Sequence, residues 1–314
     1  MIRTATIATA LFLTAPATAS AEVFEVFDVA DLGDALRNVG AGDQIVVGDG
    51  TYALSSTLDA MLQGTAEAPI VISAAVGARP VLQGPANGPA LQLEATFTTL
   101  AGLEFAGPGT GLVVSGESID LRDLRFSAGT SGVRCDACVG LVLLGSEFSG
   151  TGPGPAFEAV QLSESDLAGN YVHDTTGPGF IVQGVDNRVI DNVVVAATAE
   201  AIALRDDTAG PLGNLVSGNF VRGASVVLAG SGTIDNNIVW QAPNRGIVSD
   251  LSTPGAADVF VLHNTVVEAA TCFVAIDWPL SAGVTVVANN AFYCADGAAT
   301  LFESGVGENT IVTS

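Results

Sequence analysis

Apolar residues of this chain come in short bursts, many opened by asparagine, that recur every 18 to 27 residues over about two thirds of its length. Leu103-Glu104-Phe105, Leu124-Arg125-Phe126, Ser146-Glu147-Phe148, Asn170-Tyr171-Val172, Asn192-Val193-Val194, Asn219-Phe220-Val221, Asn237-Ile238-Val239, Asn264-Thr265-Val266 and Asn290-Ala291-Phe292 fall into one column. A second column lies about ten residues downstream: Leu112/Val114, Val133/Cys135, Val160/Leu162, Phe180/Val182, Ile202/Leu204, Ile247/Ser249 and Val274/Ile276. Two alternating strands per repeat, separated by Gly, Asp, Asn and Pro, predict the coils of a parallel β-helix, an all-β solenoid. Inward residues then stack into a continuous apolar core, and a buried Asn column satisfies its amides on neighbouring turns.

The first hundred residues follow other rules. Asp31 is placed to cap a short amphipathic helix carrying Leu32, Ala35, Leu36 and Val39 and ended by Gly40, a plug for the open end of a solenoid. Asp43-Gln44-Ile45-Val46-Val47, Gly50-Thr51-Tyr52, Pro69-Ile70-Val71-Ile72 and Pro80-Val81-Leu82 read as the strands and turns of the first coils. Residues 1–21 carry Arg3, an apolar stretch through Leu13, and Ala19-Ser20-Ala21 before Glu22, the layout of a secretory leader cleaved after Ala21. The expected organisation is a signal peptide at 1–21 and one β-helix domain at 22–314, with cap and first coils at 22–100 and regular coils at 101–314. No other apolar run is long enough to span a bilayer, so the expected location is secreted, extracellular or periplasmic.

Charge narrows the partners. The chain has ten Arg, no Lys and 33 acidic residues, a net charge of −23. Nucleic acid is excluded as a partner, and a polyanionic glycan needs a local positive groove or bridging cations. The four cysteines of an exported chain are expected to be oxidised. Cys272 and Cys294 stand one coil period apart and are expected to staple adjacent coils; Cys135 and Cys138 form a CxxC whose expected role is a turn-locking disulfide.

Asp31-Leu32-Gly33-Asp34-Ala35-Leu36, Ala41-Gly42-Asp43-Gln44-Ile45, Gly50-Thr51-Tyr52, Gly64-Thr65 and Ala68-Pro69-Ile70-Val71-Ile72 resemble the opening of secreted right-handed parallel β-helix proteins of the pectate-lyase superfamily. The opening is most similar to the chondroitinase B and alginate lyase group, polysaccharide lyase family six. The resemblance implies a right-handed parallel β-helix with a short N-terminal capping helix, and a polysaccharide as partner. It also implies elimination at a uronate by a Lys base and an Arg acid with calcium as the assisting cofactor. With no Lys in the chain, the base has no counterpart. Tyr171-Val172-His173-Asp174 matches the Asp-Pro-His-Asp motif of β-helical mannuronan epimerases only at His173 and Asp174.

Candidate site residues follow from geometry and residue type. Ligands of such solenoids lie along the outer face of one sheet, and the outward residues of the second column form a polar strip: Arg134, Asp136, Gln161, Ser163, Gln183, Arg205, Asp250 and Asp277. Arg134, Gln161, Gln183, Asp250 and Asp277 are the candidate substrate contacts. Arg205 is a candidate catalytic cation beside Asp206 and Asp207, candidate calcium ligands; the same three residues also read as a surface ion pair in a turn. His173 is a candidate general base oriented by Asp174, or a solvated turn histidine. His263, aligned with Asp191 and Asn236, is expected to bond adjacent coils. Trp240 and Trp278 read either as sugar-stacking surfaces or as corner caps. Asn309-Thr310-Ile311-Val312 restarts the ladder pattern, which raises end-to-end self-association as an expectation.

Two functions remain open: a secreted polysaccharide-binding or polysaccharide-modifying protein, divergent from uronate lyases, or a non-catalytic extracellular or cell-surface structural or adhesion protein.

Overall fold

The computed structural model describes residues 21–127, 129–196, 200–206, 213–252, 258–278, 283–303 and 310–313. Residues 1–20, where a leader is expected, and Asp207 lie outside them. The chain winds about eleven turns of parallel β-helix, with one α-helix at its start.

Each regular coil contributes three strands, where the periodicity predicted two. The first sheet stacks Ile45, Ile72, Leu100, Leu121, Leu143, Leu167, Val189, Val216, Ile234, Val261 and Val287 on its inner side. The second stacks Tyr52, Leu82, Phe105, Phe126, Phe148, Val172, Val194, Val221, Val239, Val266 and Phe292. The third stacks Leu93, Val114, Cys135, Ala159, Val182, Leu204, Leu228, Ser249 and Ala275. The two columns seen in the sequence are the second and third sheets. The first sheet escaped notice because strands such as Val142–Leu144 and Asp166–Ala168 are three residues long, with one inward side chain each, too short for a period to register.

Register differs from expectation at one middle coil, where Phe157 and Ala159 rather than Val160 and Leu162 align with Val133 and Cys135 and with Phe180 and Val182, and again at the last coils. Ile247 and Ser249 align with Phe273 and Ala275, which turns Val274 and Ile276 to the outer side. Four residues separate Trp240 from Arg245, but only three separate their partners Val267 and Thr271, and a slip of one residue exchanges the two faces of a strand. Thr310–Val312 pairs with Thr285–Ala288 in the first sheet, so it does not restart the Asn column of the second.

The expected Asn ladder is present at the corner between the first and second sheets. Asn192 Oδ1 accepts from both the backbone N–H and the Nδ2 of Asn170, each at 2.9 Å, while Asn192 Nδ2 donates to the Leu167 carbonyl at 2.9 Å. The pattern repeats through Asn219, Asn237, Asn264 and Asn290. Before each ladder residue stands one in the left-handed region: Gly102, Asp123, Gly145, Gly169, Asp191, Gly218, Asn236, His263 and Asn289. That explains the Gly, Asp and Asn preference, since these residues tolerate positive φ best. Stacked rings of Phe105, Phe126 and Phe148, 5.2 and 4.8 Å apart, continue the order inside.

The N-terminal helix spans Val29–Asn38 and buries Leu32, Ala35 and Leu36. Its cap is Asp28, whose Oδ1 accepts from Asp31 N at 2.9 Å; Asp31 stands in the first turn, and Val39 rather than Gly40 ends the helix. Both expected disulfides are formed, Cys135–Cys138 within a bulge of the third sheet and Cys272–Cys294 between adjacent coils.

Candidate functional site

The third sheet carries a groove of about 550 Å³ lined by Glu200, Arg205, Ser225, Asn244, Arg245 and Asp250 among others. Strands Glu200–Arg205, Ser225–Ala229 and Arg245–Asp250 lie side by side beneath it. The middle strand exposes only Ser225, Val227 and Ala229 to the groove, so small side chains open the trough between two strands with charged ends. Val248, although on the outer side, is only 6% exposed, which makes the floor apolar and sheltered.

Charged groups are held along its walls. Arg205 Nη2 donates to Glu200 Oε2 at 2.8 Å, and Arg245 Nη2 donates to Glu303 Oε1 at 2.6 Å. Both arginine side chains remain partly exposed, 40% and 44%, and a guanidinium has five N–H donors, more than one ion pair uses. Asp250 Oδ1 accepts from the backbone N–H and hydroxyl of Ser252 at 2.9 and 2.6 Å. The trough therefore combines an apolar floor, two cations able to grip a carboxylate or hydroxyls, and two carboxylates able to accept a proton.

The structure brings some expected residues together and separates others. Gln183, Arg205 and Asp250 share one outward column. They span three coil steps, about 14 Å. Ile276 takes the next place in that column, so Asp277 stands beyond it. Arg134 is paired with Asp136 at 2.9 Å, which also raises its pKa, and its own column reaches Val248 only after five coil steps, about 24 Å. Gln161 occupies a bulge at positive φ, and Ser163 pairs in register with Val139 and Val185 outside the Arg205 column. Asp206 is buried at 4% exposure. Among the described residues no group of three or more His, Cys, Asp and Glu converges as a metal cage, so no chemical step is assigned to a calcium ion.

His173 and Asp174 belong to the second sheet, not to the groove. The imidazole bonds Asp174 through Nδ1 at 2.9 Å and Glu147 through Nε2 at 3.1 Å, and stacks on Tyr171 with centroids 4.3 Å apart. Burial lowers its pKa, but the hydrogen bonds and negative charges of Asp174 and Glu147 outweigh that, and the net shift is upward. Such clamping favours an imidazolium in an ion-pair network over a free base. His263 bridges coils as expected, to Asp235 at 3.0 Å and Asn289 at 3.3 Å. Trp278 is buried at 1% exposure, with its ring against Phe273 and its indole N–H on Ser249, which rules it out as a sugar platform.

The residues that sequence reasoning missed are Glu200, Asn244 and Arg245. A weak signal existed: Glu200 and Arg245 each stand two residues before an inward member of the third-sheet column, Ile202 and Ile247.

Comparison with known proteins agrees with this architecture. The right handed beta helix region family matches residues 90–239. An alginate lyase from Paenibacillus sp. str. FPU-7 superposes with a TM-score of 0.59 at 18% identity, covering 91% of this chain and 99% of its own. A GH136 lacto-N-biosidase from Eubacterium ramulus gives 0.60 at 12% identity, with 93% and 67% covered. A mannuronic acid specific polysaccharide family 6 lyase from human gut microbiota gives 0.53 at 14%, with 92% and 78% covered. The curated proteins contain no match. At these identities the likeness shows the fold, a right-handed parallel β-helix.

Proposed function

We propose that this protein is a secreted, polysaccharide-modifying β-helix whose substrate, a uronate-containing chain, lies in the third-sheet groove. The observation that carries the reading is the placement of Arg205 and Arg245 with Glu200 and Asp250 around an apolar trough. The arginines neutralise a uronate carboxylate, which acidifies the adjacent C–H; Asp250 or Glu200 accepts that proton in place of the missing Lys, the freed electron pair forms the C4–C5 double bond as the C4–O glycosidic bond breaks, and the leaving oxygen takes a proton from water. The fold it shares with an alginate lyase and a family 6 lyase supports the same reading.

The test is to incubate mature protein with alginate, pectate and chondroitin sulfate, with and without calcium. Ultraviolet absorbance follows the conjugated double bond, and reducing ends are counted in parallel. Activity is expected, with Arg205→Ala lowering it about a hundredfold while the fold is retained. Failure of every substrate would overturn catalysis. It would favour a non-catalytic glycan-binding or structural protein, a reading supported by the ion pairs that already occupy both groove arginines.

A further inference from the structure

The outer face of the second sheet has an organisation that the groove does not use. Tyr171, Val193, Phe220 and Ile238 follow one another in one outward column. Arg222, Trp240, Val267 and Tyr293 follow in the next. Tyr171 is 45% exposed, Val193 38%, Ile238 46% and Tyr293 72%. With Phe220, Trp240 and Val267 half-buried between these exposed positions, the two columns form one continuous outward strip, which marks an interaction surface rather than scattered surface apolar residues.

At its centre one ring is held in place. The Arg222 guanidinium lies over Trp240, 4.8 Å from the ring centroid, and its Nε donates to Gln241 Oε1 at 3.3 Å. Trp240 Nε1 and Gln241 Nε2 both donate to Glu268 Oε2 at 3.1 Å. Arg222 differs from Arg205 and Arg245: its partners among the described residues are a ring and an amide, not a carboxylate.

We propose that this strip is a second glycan-binding surface, which takes a chain of anionic sugars lying along the solenoid axis. Aromatic faces suit the C–H faces of sugar rings, and the polar side chains between them suit hydroxyls. Arg222 supplies the charge complementarity, since a cation with no carboxylate partner among the described residues, on a molecule of net charge −23, is a specific invitation to a sugar carboxylate or sulfate. The strip is two side chains wide, the width of one extended glycan chain and less than the broad patch of a stable protein dimer. Its middle coils are also those of the groove, so one polymer or gel can engage both faces and gain avidity. The ligand class rests on the glycan reading of the groove; the location does not.

Intrinsic fluorescence tests it. The chain has two tryptophans, and Trp278, though buried, bonds Ser249 beside the groove, so the part of an emission change on ligand addition that Trp240→Phe abolishes reports Trp240. Titration of mature protein with oligogalacturonate or oligomannuronate is expected to give a saturable change, with neutral cello-oligosaccharides binding more weakly. Arg222→Gln is expected to weaken binding about tenfold at unchanged melting temperature. Tyr293→Ala, at an exposed position that carries little stability, is expected to weaken it as well, and Arg205→Ala to leave it intact. Three results would overturn the proposal: no saturable fluorescence or calorimetric response to any of these sugars, a response lost in Arg205→Ala but kept in Arg222→Gln, or a dimer in light scattering that Tyr293→Ala dissociates. A saturable Trp240 response from a protein that cleaves nothing would leave the strip standing and the catalytic groove refuted.

Discussion

His173 shows how one residue type admits two roles that only its neighbours separate. With Asp174 on Nδ1 and Glu147 on Nε2, its charged form is favoured and its pKa rises above the ordinary value near 6.5. A group whose folded pKa is raised contributes stability fully below its unfolded pKa and loses it as pH climbs through the folded one. Wild type should therefore lose stability relative to His173→Gln across the range from just below pH 6.5 to above the folded pKa, as denaturant midpoints measured at several pH values will show. In Glu147→Gln the imidazole titration followed by nuclear magnetic resonance should move down. A constant difference between wild type and His173→Gln over that range would refute the clamp. The reading of His173 as a base depended on residue type alone, and Glu147, 26 positions away, changes it.

At the scale of elements, the corner between first and second sheets is where sequence and structure agree most closely. Asn recurs there because a buried carboxamide offers both donor and acceptor in the direction of the axis, and each coil supplies the partner for the next. Removing one amide leaves several groups unpaired at once: in Asn192→Ala, Asn170 loses the acceptor of its backbone N–H and of its Nδ2, and the Leu167 carbonyl loses a donor. A loss of about 2–4 kcal/mol follows from buried unsatisfied groups of this number. Urea denaturation checks it, and Asn289→Gly, at the exposed left-handed position one residue before the ladder, should by contrast cost little. The third-sheet strands were legible from their alternation, whereas the three-residue first-sheet strands were not, because a single inward residue has no period.

For the whole molecule, the balance of ten Arg against 33 acidic residues governs encounter more than affinity. An oligouronate approaching this field is repelled at long range and held at short range by guanidinium groups. Its association rate should rise as salt is increased from about 10 to 100 mM, because the Debye length shrinks from roughly 30 to 10 Å. Stopped-flow measurement on Trp240 emission reads the rate directly. A rate that falls with salt would mean that the local arginines, not the net charge, steer the ligand.

The sequence by itself determined the solenoid, its Asn ladder, its N-terminal helix, both disulfide pairs and the face on which Gln183, Arg205 and Asp250 align. These features repeat once per coil or depend on neighbours along the chain, so their signal accumulates in one dimension. Only the tertiary structure decided that Glu200 and Arg245 complete the groove, that Trp278 is core, that His173 sits on another sheet, and that Arg222 over Trp240 stands in an exposed strip. Each of these depends on side chains in coils 18 to 58 residues apart, and on bulges that shift register by one residue and exchange inside for outside.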